Sequence, residues 1–382
     1  MTNFTNAPGS AGTYPIMVLG GRRTGKTTLC ASLHQCLIAR SHGLTSSLIA
    51  RFPDANGLRH FENRLSDMFA SPSALFQSQP LNQLVEQFEI GIDFTVNKGS
   101  LFSRNEDNLN GYYQFLINDL TGKFNILELV SKANHQGDVA LQSELSSLYA
   151  NLSESNSLVI CHPASQNLAP SEANGFIHLM SEIAAGRYGT FDQIIVAFTK
   201  YERLFTHDKT DGLSNAVNPS TIIEVIANTI QNDQALETGL RALLGIEGGQ
   251  PNLYCMPVSS FGFLPKNGAA NLHRRTGEPL IPFTPAVREA SVSTNPELSR
   301  PVTRLAGITI PQTRKASAAC LDQSPQTVQQ AIHSPNWLPF LSADPFLTAI
   351  SGKPSSFMLP LASFITALDQ GSSFNRAPIK RA

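Results

Sequence analysis

Apolar and polar positions alternate along the first 260 residues in a way that predicts strands and helices by turns. IMVLG (16–20) reads as a short buried strand, and 26–39 as a helix with Leu29, Leu33 and Leu37 at spacing four. The segment 58–69 has helical spacing, whereas FEIGIDFTVN (88–97) and YYQFLIND (112–119) read as two strands of a hairpin with a polar, Asn-rich connection. Helical pattern returns over 125–131 and 139–153, followed by the strand SLVICHP (157–163), a helix near 176–185 and the strand FDQIIVAFTK (191–200). Thr221 and Glu224 have the spacing of a capping box at the head of one long helix reaching about Leu244, and NLYCMPVSS (252–260) supplies a further strand. Such alternation predicts an α/β fold with a mainly parallel central sheet covered by helices on both faces, a three-layer sandwich.

The pattern changes after Phe263. To about Ser334 the chain is rich in Pro, Ser, Thr and Arg without sustained periodicity, which predicts an insertion or arm. Order is expected to return in NWLPFLSADPFLTAISG (336–352), where Asp344 would cap a helix, Pro345 occupy its first turn and Gly352 end it. The expected organisation is therefore a flexible start (1–14), one main α/β domain (15–263), a Pro-rich C-terminal extension as an arm (264–334), a helical segment packing back on the main domain (335–370) and a solvated tail (371–382). No internal repeat is visible, which argues against a solenoid.

Composition narrows the partners. Lys and Arg number 28 against 29 Asp and Glu in 382 residues, and charged residues are 15% of the chain, so no overall field recruits nucleic acid or an anionic membrane. His273-Arg274-Arg275 and Lys380-Arg381 lack the interleaved aromatics of a nucleic-acid surface, and no nucleic-acid partner is expected. Five scattered cysteines without a C-x-x-C pair fit neither a disulfide framework nor a zinc site, and a reducing, cytoplasmic setting is expected. The N-terminus lacks the basic start and apolar stretch of a signal peptide. FMLPLASFITAL (357–368) is too short for a membrane span and contains Pro360; it reads as core or as a partner-facing surface. Cys161 and His162 are adjacent on a strand, point to opposite faces, and so make no nucleophile and base pair.

The chemistry concentrates in three places. Gly20-Gly21-Arg22-Arg23-Thr24-Gly25-Lys26-Thr27 satisfies G-x-x-x-x-G-K-[ST] between an expected strand and an expected helix that continues with Thr28. Glycines there let successive N–H groups turn toward phosphate oxygens at a helix N-terminus, Lys26 reaches the β- and γ-phosphates, and Thr27 holds Mg²⁺. At the end of YYQFLIND stands Asp119-Leu120-Thr121-Gly122, where Asp119 would order a magnesium-bound water and the Gly122 N–H would meet the γ-phosphate. Thr199-Lys200-Tyr201-Glu202 and Ser259-Ser260 close two later strands.

In that order, GGRRTGKT, DLTG, TKYE and PVSSFGF resemble the motif series of Ras-like and translation-factor P-loop GTPases over residues 16–262. The variants and the Pro-rich extension are similar to bacterial double-GTPase family proteins. The resemblance implies the P-loop NTPase sandwich, bound GTP and Mg²⁺, and a molecular switch with partner-regulated hydrolysis. It also implies protein partners in a signalling or conflict-type assembly. Thr199, Lys200 and Glu202, with Ser259 and Ser260, would then surround the guanine base, the acid accepting from its N1 and N2 groups.

Three positions depart from the family pattern. Glu202 stands where Asp is usual, Lys123 follows the D-x-x-G where a water-orienting glutamine is common, so that slow intrinsic hydrolysis is expected, and no magnesium-binding switch threonine stands out, Thr45 being the candidate by interval. Arg22 and Arg23 are either solvated loop cations or an in-cis source of the charge an arginine finger supplies. Two other readings stay open: an ATPase or ATP-dependent phosphotransferase on the same loop, and a nucleotide-stabilised scaffold without turnover.

Overall fold

The computed structural model describes residues 12–29, 46–51, 85–97, 108–120, 125–136, 139–208, 210–246, 252–264, 267–277, 280, 304–305, 308–309, 338–340 and 358–370. The expected helices at 58–69 and 344–352, and the part of the first helix beyond 29, lie outside these residues.

The centre of the fold is a parallel sheet. Strand β1 (Gly12–Leu19) is flanked by β4 (Asn108–Leu120) on one side and β5 (Ser157–Pro163) on the other, and β6 (Gln193–Thr199) and β7 (Asn252–Pro257) follow outward from β5, all parallel. Beyond β4 come the antiparallel β3 (Val85–Asn97) and then β2 (Ser46–Arg51), so the complete order is β12-β7-β6-β5-β1-β4-β3-β2, with β12 (Leu359–Pro360) antiparallel to β7. All seven residues of β5 and of β6 are buried, as a strand covered on both faces requires. The hairpin runs in unbroken register from Val85 opposite Leu120 to Asn97 opposite Asn108, longer at each strand than the apolar pattern marks.

Helix α1 starts at Lys26 and is described to 29. The others are α2 (Ile126–Gln136), α3 (Val139–Glu154), α4 (Pro170–Ala184), α5 (Gly212–Ala216), α6 (Pro219–Asn232), α7 (Gln234–Leu244) and α8 (Leu361–Asp369). Strands and helices share one apolar core, from Ile16–Leu19 through Val159, Ile195 and Cys255 to Leu179, Ile226 and Leu240. With β1 as the strand where the sheet order reverses, this is the three-layer α/β sandwich with a mainly parallel sheet that the alternation predicts.

Three local expectations need correction. The long helix expected from Thr221 to Leu244 is two helices: Asp233 is extended (φ −122°, ψ 95°) and its carboxylate accepts from the N–H groups of Ala235 and Leu236, capping α7. The first of the two starts earlier than the Thr221 and Glu224 spacing suggests, at Pro219, with Asn218 as its cap accepting from the Ser220 N–H at 3.0 Å. The strand expected over 252–260 is also two: it breaks at Val258, and β8 (Ser259–Phe263) leaves the central sheet to pair with β11 (Leu338–Phe340). The remaining short strands are β9 (Arg304–Leu305) and β10 (Ile308–Thr309).

The segment FMLPLASFITAL supplies β12 and most of α8, burying Met358, Leu361, Phe364 and Ile365 against the domain. The Asp369 carboxylate accepts from Arg241 on α7 at 2.7 Å. Past Phe263 the chain folds back: the Asn271 N–H donates to Gly262 O at 3.0 Å, and the Leu213 N–H to Gly268 O at 2.7 Å. Among the described residues no helix is long and apolar enough to cross a membrane.

Candidate nucleotide site

β1 delivers the chain to the carboxyl edge of the sheet at its switch point. Val18 is in register with Asp119 of β4, and Leu19 with Ile160 of β5, so the loop after Leu19 starts between the ends of these two strands. Ligands of open α/β sheets bind at such a crevice. Asp119 lies one residue before the end of β4. Gly122, Lys123 and Thr45 lie outside the described residues.

The loop is shaped largely by its backbone. Gly20 has φ 149° and Gly25 φ 91°, and Arg23 is left-handed at φ 62°. A Cβ on Gly20 would stand 2.5 Å from Cys161 O. Helix α1 opens directly behind, with the Leu29 N–H donating to Gly25 O at 2.8 Å. The Lys26 side chain folds back across the loop, its Nζ donating to Gly20 O at 3.0 Å and to Gly21 O at 2.7 Å. Thr24 Oγ1 donates to the same Gly21 carbonyl at 3.0 Å. Lys26 and Thr27 are buried, Thr28 is partly covered, and the side chains of Arg22 and Arg23 are exposed.

The TKYE segment is joined to this loop. The buried Thr199 hydroxyl donates to Thr24 O and lies 3.3 Å from His162 O, linking the ends of β5 and β6 to the loop. Lys200 then takes the left-handed conformation at φ 57°. This turn sends Tyr201–Phe205 into a 3-10 helix under β8. The Tyr201 N–H donates to Val258 O at 3.2 Å, and its hydroxyl to Ala216 O at 3.1 Å.

Glu202 is 1% exposed. Burial raises its pKa above the usual carboxylate range, opposed by hydrogen bonds from Ser259, from its own backbone and from Phe261, and by the charge of Arg203. Its Oε2 has no hydrogen-bond partner. Ser259 also ties its own turn, accepting from the Gly262 N–H at 3.0 Å, and Ser260 is buried beside it. Lys200 is pushed down to about 8, first by burial and then by Arg203, with Arg23 and Lys26 adding in the same direction and Glu202 opposing. Lys200 thus feels cations of both segments, Arg23 and Lys26 of the loop and Arg203 of the 3-10 helix.

The fold thus brings the 20–28 loop, Thr199, Lys200, Glu202, Ser259 and Ser260 to one edge of the sheet, with the backbone of Asp119 at the end of the strand beside it. Two carboxylates at this edge carry no motif in the sequence. Glu172, the third residue of α4, accepts the Arg22 N–H at 2.9 Å. Asp233 accepts the Leu168 N–H at 2.6 Å and lies 3.4 Å from His162 Nε2. The Pro170 and Glu172 spacing of a helix start is the only sequence signal for the first. His162, whose Nδ1 is 2.9 Å from Pro163 O, is satisfied within the core and faces Asp233.

No family model matches this chain, and no curated protein does. Among solved structures, the chain is similar to the bacterial selenocysteine-specific elongation factor EF-Sec, at 12% identity and a TM-score of 0.27 over 65% of this chain and 25% of that one. It is also similar to the GTPase-like domain of S. cerevisiae Ski7, a structure bound to GTP, at 12% identity and a TM-score of 0.32 over 65% of this chain and 43% of that one. The match therefore spans less than half the length of either.

Proposed function

We propose that this chain is a GTP-binding molecular switch with slow, Mg²⁺-dependent GTP hydrolysis regulated by protein partners. The observation that carries this reading is the Thr199 hydroxyl on Thr24 O, which fastens the segment bearing Lys200 and Glu202 to the phosphate loop. Two motifs far apart in the chain become one site with a phosphate end and a base end.

Each end fits its part of a guanine nucleotide. At the phosphate end, Lys26 is a buried cation at a helix N-terminus, where backbone N–H groups favour anions. At the base end, the unpartnered Glu202 Oε2 is an orphaned buried acceptor, and guanine carries the adjacent N–H donors to satisfy it. Thr27 and Asp119 are the residues that would hold Mg²⁺, which when bound neutralises phosphate charge. Lys123, in place of a water-orienting glutamine, supports slow intrinsic turnover, and the segment after Asp119 is where nucleotide state would be read.

Competition of a labelled nucleotide by excess GTP or ATP, followed by phosphate release with and without Mg²⁺, tests the proposal. GTP is expected to compete and ATP not; equal competition favours the ATPase reading, and binding without release, even with a partner, favours the scaffold. Arg22→Ala and Arg23→Ala are expected to lower turnover far more than affinity, since both residues are exposed on the loop that would hold the phosphates. Unchanged turnover in both variants removes the arginines from the chemistry.

A further inference from the structure

Glu172 is a carboxylate whose two oxygens serve two elements. It is 6% exposed, and Oε1 accepts the Arg22 N–H at 2.9 Å across 150 residues of sequence. Oε2 accepts the Ala169 N–H at 3.3 Å, and the Glu172 N–H donates to Ala169 O at 2.8 Å. The side chain is therefore held at the head of α4 by one oxygen while the other holds the phosphate loop. A carboxylate at a helix N-terminus is at home with the helix dipole, so it stays in place as a post.

Gly21 completes the arrangement. Unlike Gly20 and Gly25 it does not have positive φ, so its backbone torsion does not call for glycine. A Cβ there would stand 2.8 Å from both Glu172 oxygens and 2.9 Å from Cδ, closer than side chains approach one another. The glycine at this position, a variable one in the motif, is thus explained by the carboxylate against it. An added methyl would force the Glu172 carboxylate to shift from its place against the Arg22 amide.

We propose that Glu172 is a positioning residue for the phosphate loop: acting through the Arg22 amide, it fixes the path of residues 21–23, and Gly21 is the space it requires. Insofar as it concerns affinity, this rests on the reading of the loop as a nucleotide site. A loop held in one path before its ligand arrives loses less freedom on binding, which is affinity gained without a direct contact. The role needs an acceptor oxygen more than a charge. Glutamine keeps an acceptor for Arg22, whereas alanine or serine does not reach it.

The test uses the full chain. Amide hydrogen exchange without added nucleotide should show Arg22 protected in the parent protein, and exchange roughly tenfold or more faster in Glu172→Ser, with Glu172→Gln between them. Binding of a non-hydrolysable GTP analogue is then measured for Glu172→Ser, Gly21→Ala and the double variant. Each single change should weaken binding roughly tenfold, and the double should be no weaker than the worse single, because both remove the same bond. Thermal melting of the same proteins separates a mere helix cap, which would lower the melting temperature and leave affinity alone. Unchanged Arg22 exchange in Glu172→Ser, or losses that multiply in the double variant, would overturn the proposal. A parent protein that binds no analogue at all sinks the nucleotide reading, while the exchange experiment still decides the role of Glu172.

Discussion

The two ends of the candidate site are made of different materials. The phosphate end is mostly main chain: left-handed or positive φ at Gly20, Arg23 and Gly25, carbonyls of Gly20 and Gly21 gripped by Lys26, and the side chains of Arg22 and Arg23 turned outward. The base end is mostly side chain: Glu202 enclosed with Ser259, Tyr201 anchored to Ala216, and Lys200 half covered above them. A cradle of main-chain groups constrains which residues stand at each position, because only glycine tolerates certain torsions and contacts. A pocket of side chains constrains what surrounds each residue, and those surroundings come from elsewhere in the chain. The first leaves a motif; the second leaves scattered letters.

Removing Lys26 is the strongest test of the phosphate end. Lys26→Ala deletes a charged donor of the kind worth about 1.5–3 kcal/mol per bond, so nucleotide affinity measured by calorimetry should fall roughly a hundredfold. A loss below about threefold would break the assignment. Gly20→Ala attacks the main chain directly: with φ at 149° and a Cβ 2.5 Å from Cys161 O, it should lower unfolding free energy by about 2–4 kcal/mol in urea titration. A neutral result would mean the loop is not held where the structure puts it.

The base end is probed by Glu202→Gln, expected to reduce the preference for GTP over ATP by roughly tenfold or more while phosphate affinity persists. The same variant reports the buried charge. Because the folded pKa of Glu202 is raised, its contribution to stability is fully present below the ordinary carboxylate pKa and is lost as pH rises through the raised one. Melting temperatures from acid to neutral pH should therefore fall less for Glu202→Gln than for the parent. Thr199→Val unties the two ends, costing about 1 kcal/mol of stability in denaturant titration.

Lys200 gives the smallest effect. With a pKa near 8 against an ordinary 10.5, its amine should be labelled faster than surface lysines at pH 8, with reactivity falling about tenfold per unit below that. Nucleotide should slow the labelling. The sign for stability follows: the unfolded chain holds the proton over the window from 8 to 10.5, so stability rises with pH there.

Much of this architecture was legible along the chain, and the failures have particular causes. The strand 157–163 was readable to the residue, since a strand buried on both faces is a continuous apolar run bounded by polar residues. The break at Asp233 was not, because apolar positions continue at helical spacing on both sides, from Ile222, Ile226 and Ile230 to Leu236, Leu240 and Leu243. What decides it is the carboxylate itself, which meets the Leu168 N–H, 65 residues away in the chain, while capping α7. The break at Val258 is likewise tertiary: β8 leaves the sheet for β11, and a run of strand-forming residues gives no sign of changing partners. The short strand 46–51 escaped because its apolar residues, Leu48 to Ala50, are three in a row, neither an alternation nor a run of four or more.

By itself, then, the sequence determined the alternation that becomes a parallel sheet and the loop at its switch point. Both follow from local rules of apolar period, backbone torsion and hydrogen-bond donors in neighbouring residues. Tertiary structure alone decided that Thr199 would fasten the base end to Thr24, that Glu202 would lie buried with one oxygen unpartnered, and that Glu172 would stand against Gly21. Those outcomes depend on where a distant helix or strand is set down, and the free energy of a buried polar contact exists only once the chain has brought both partners out of water.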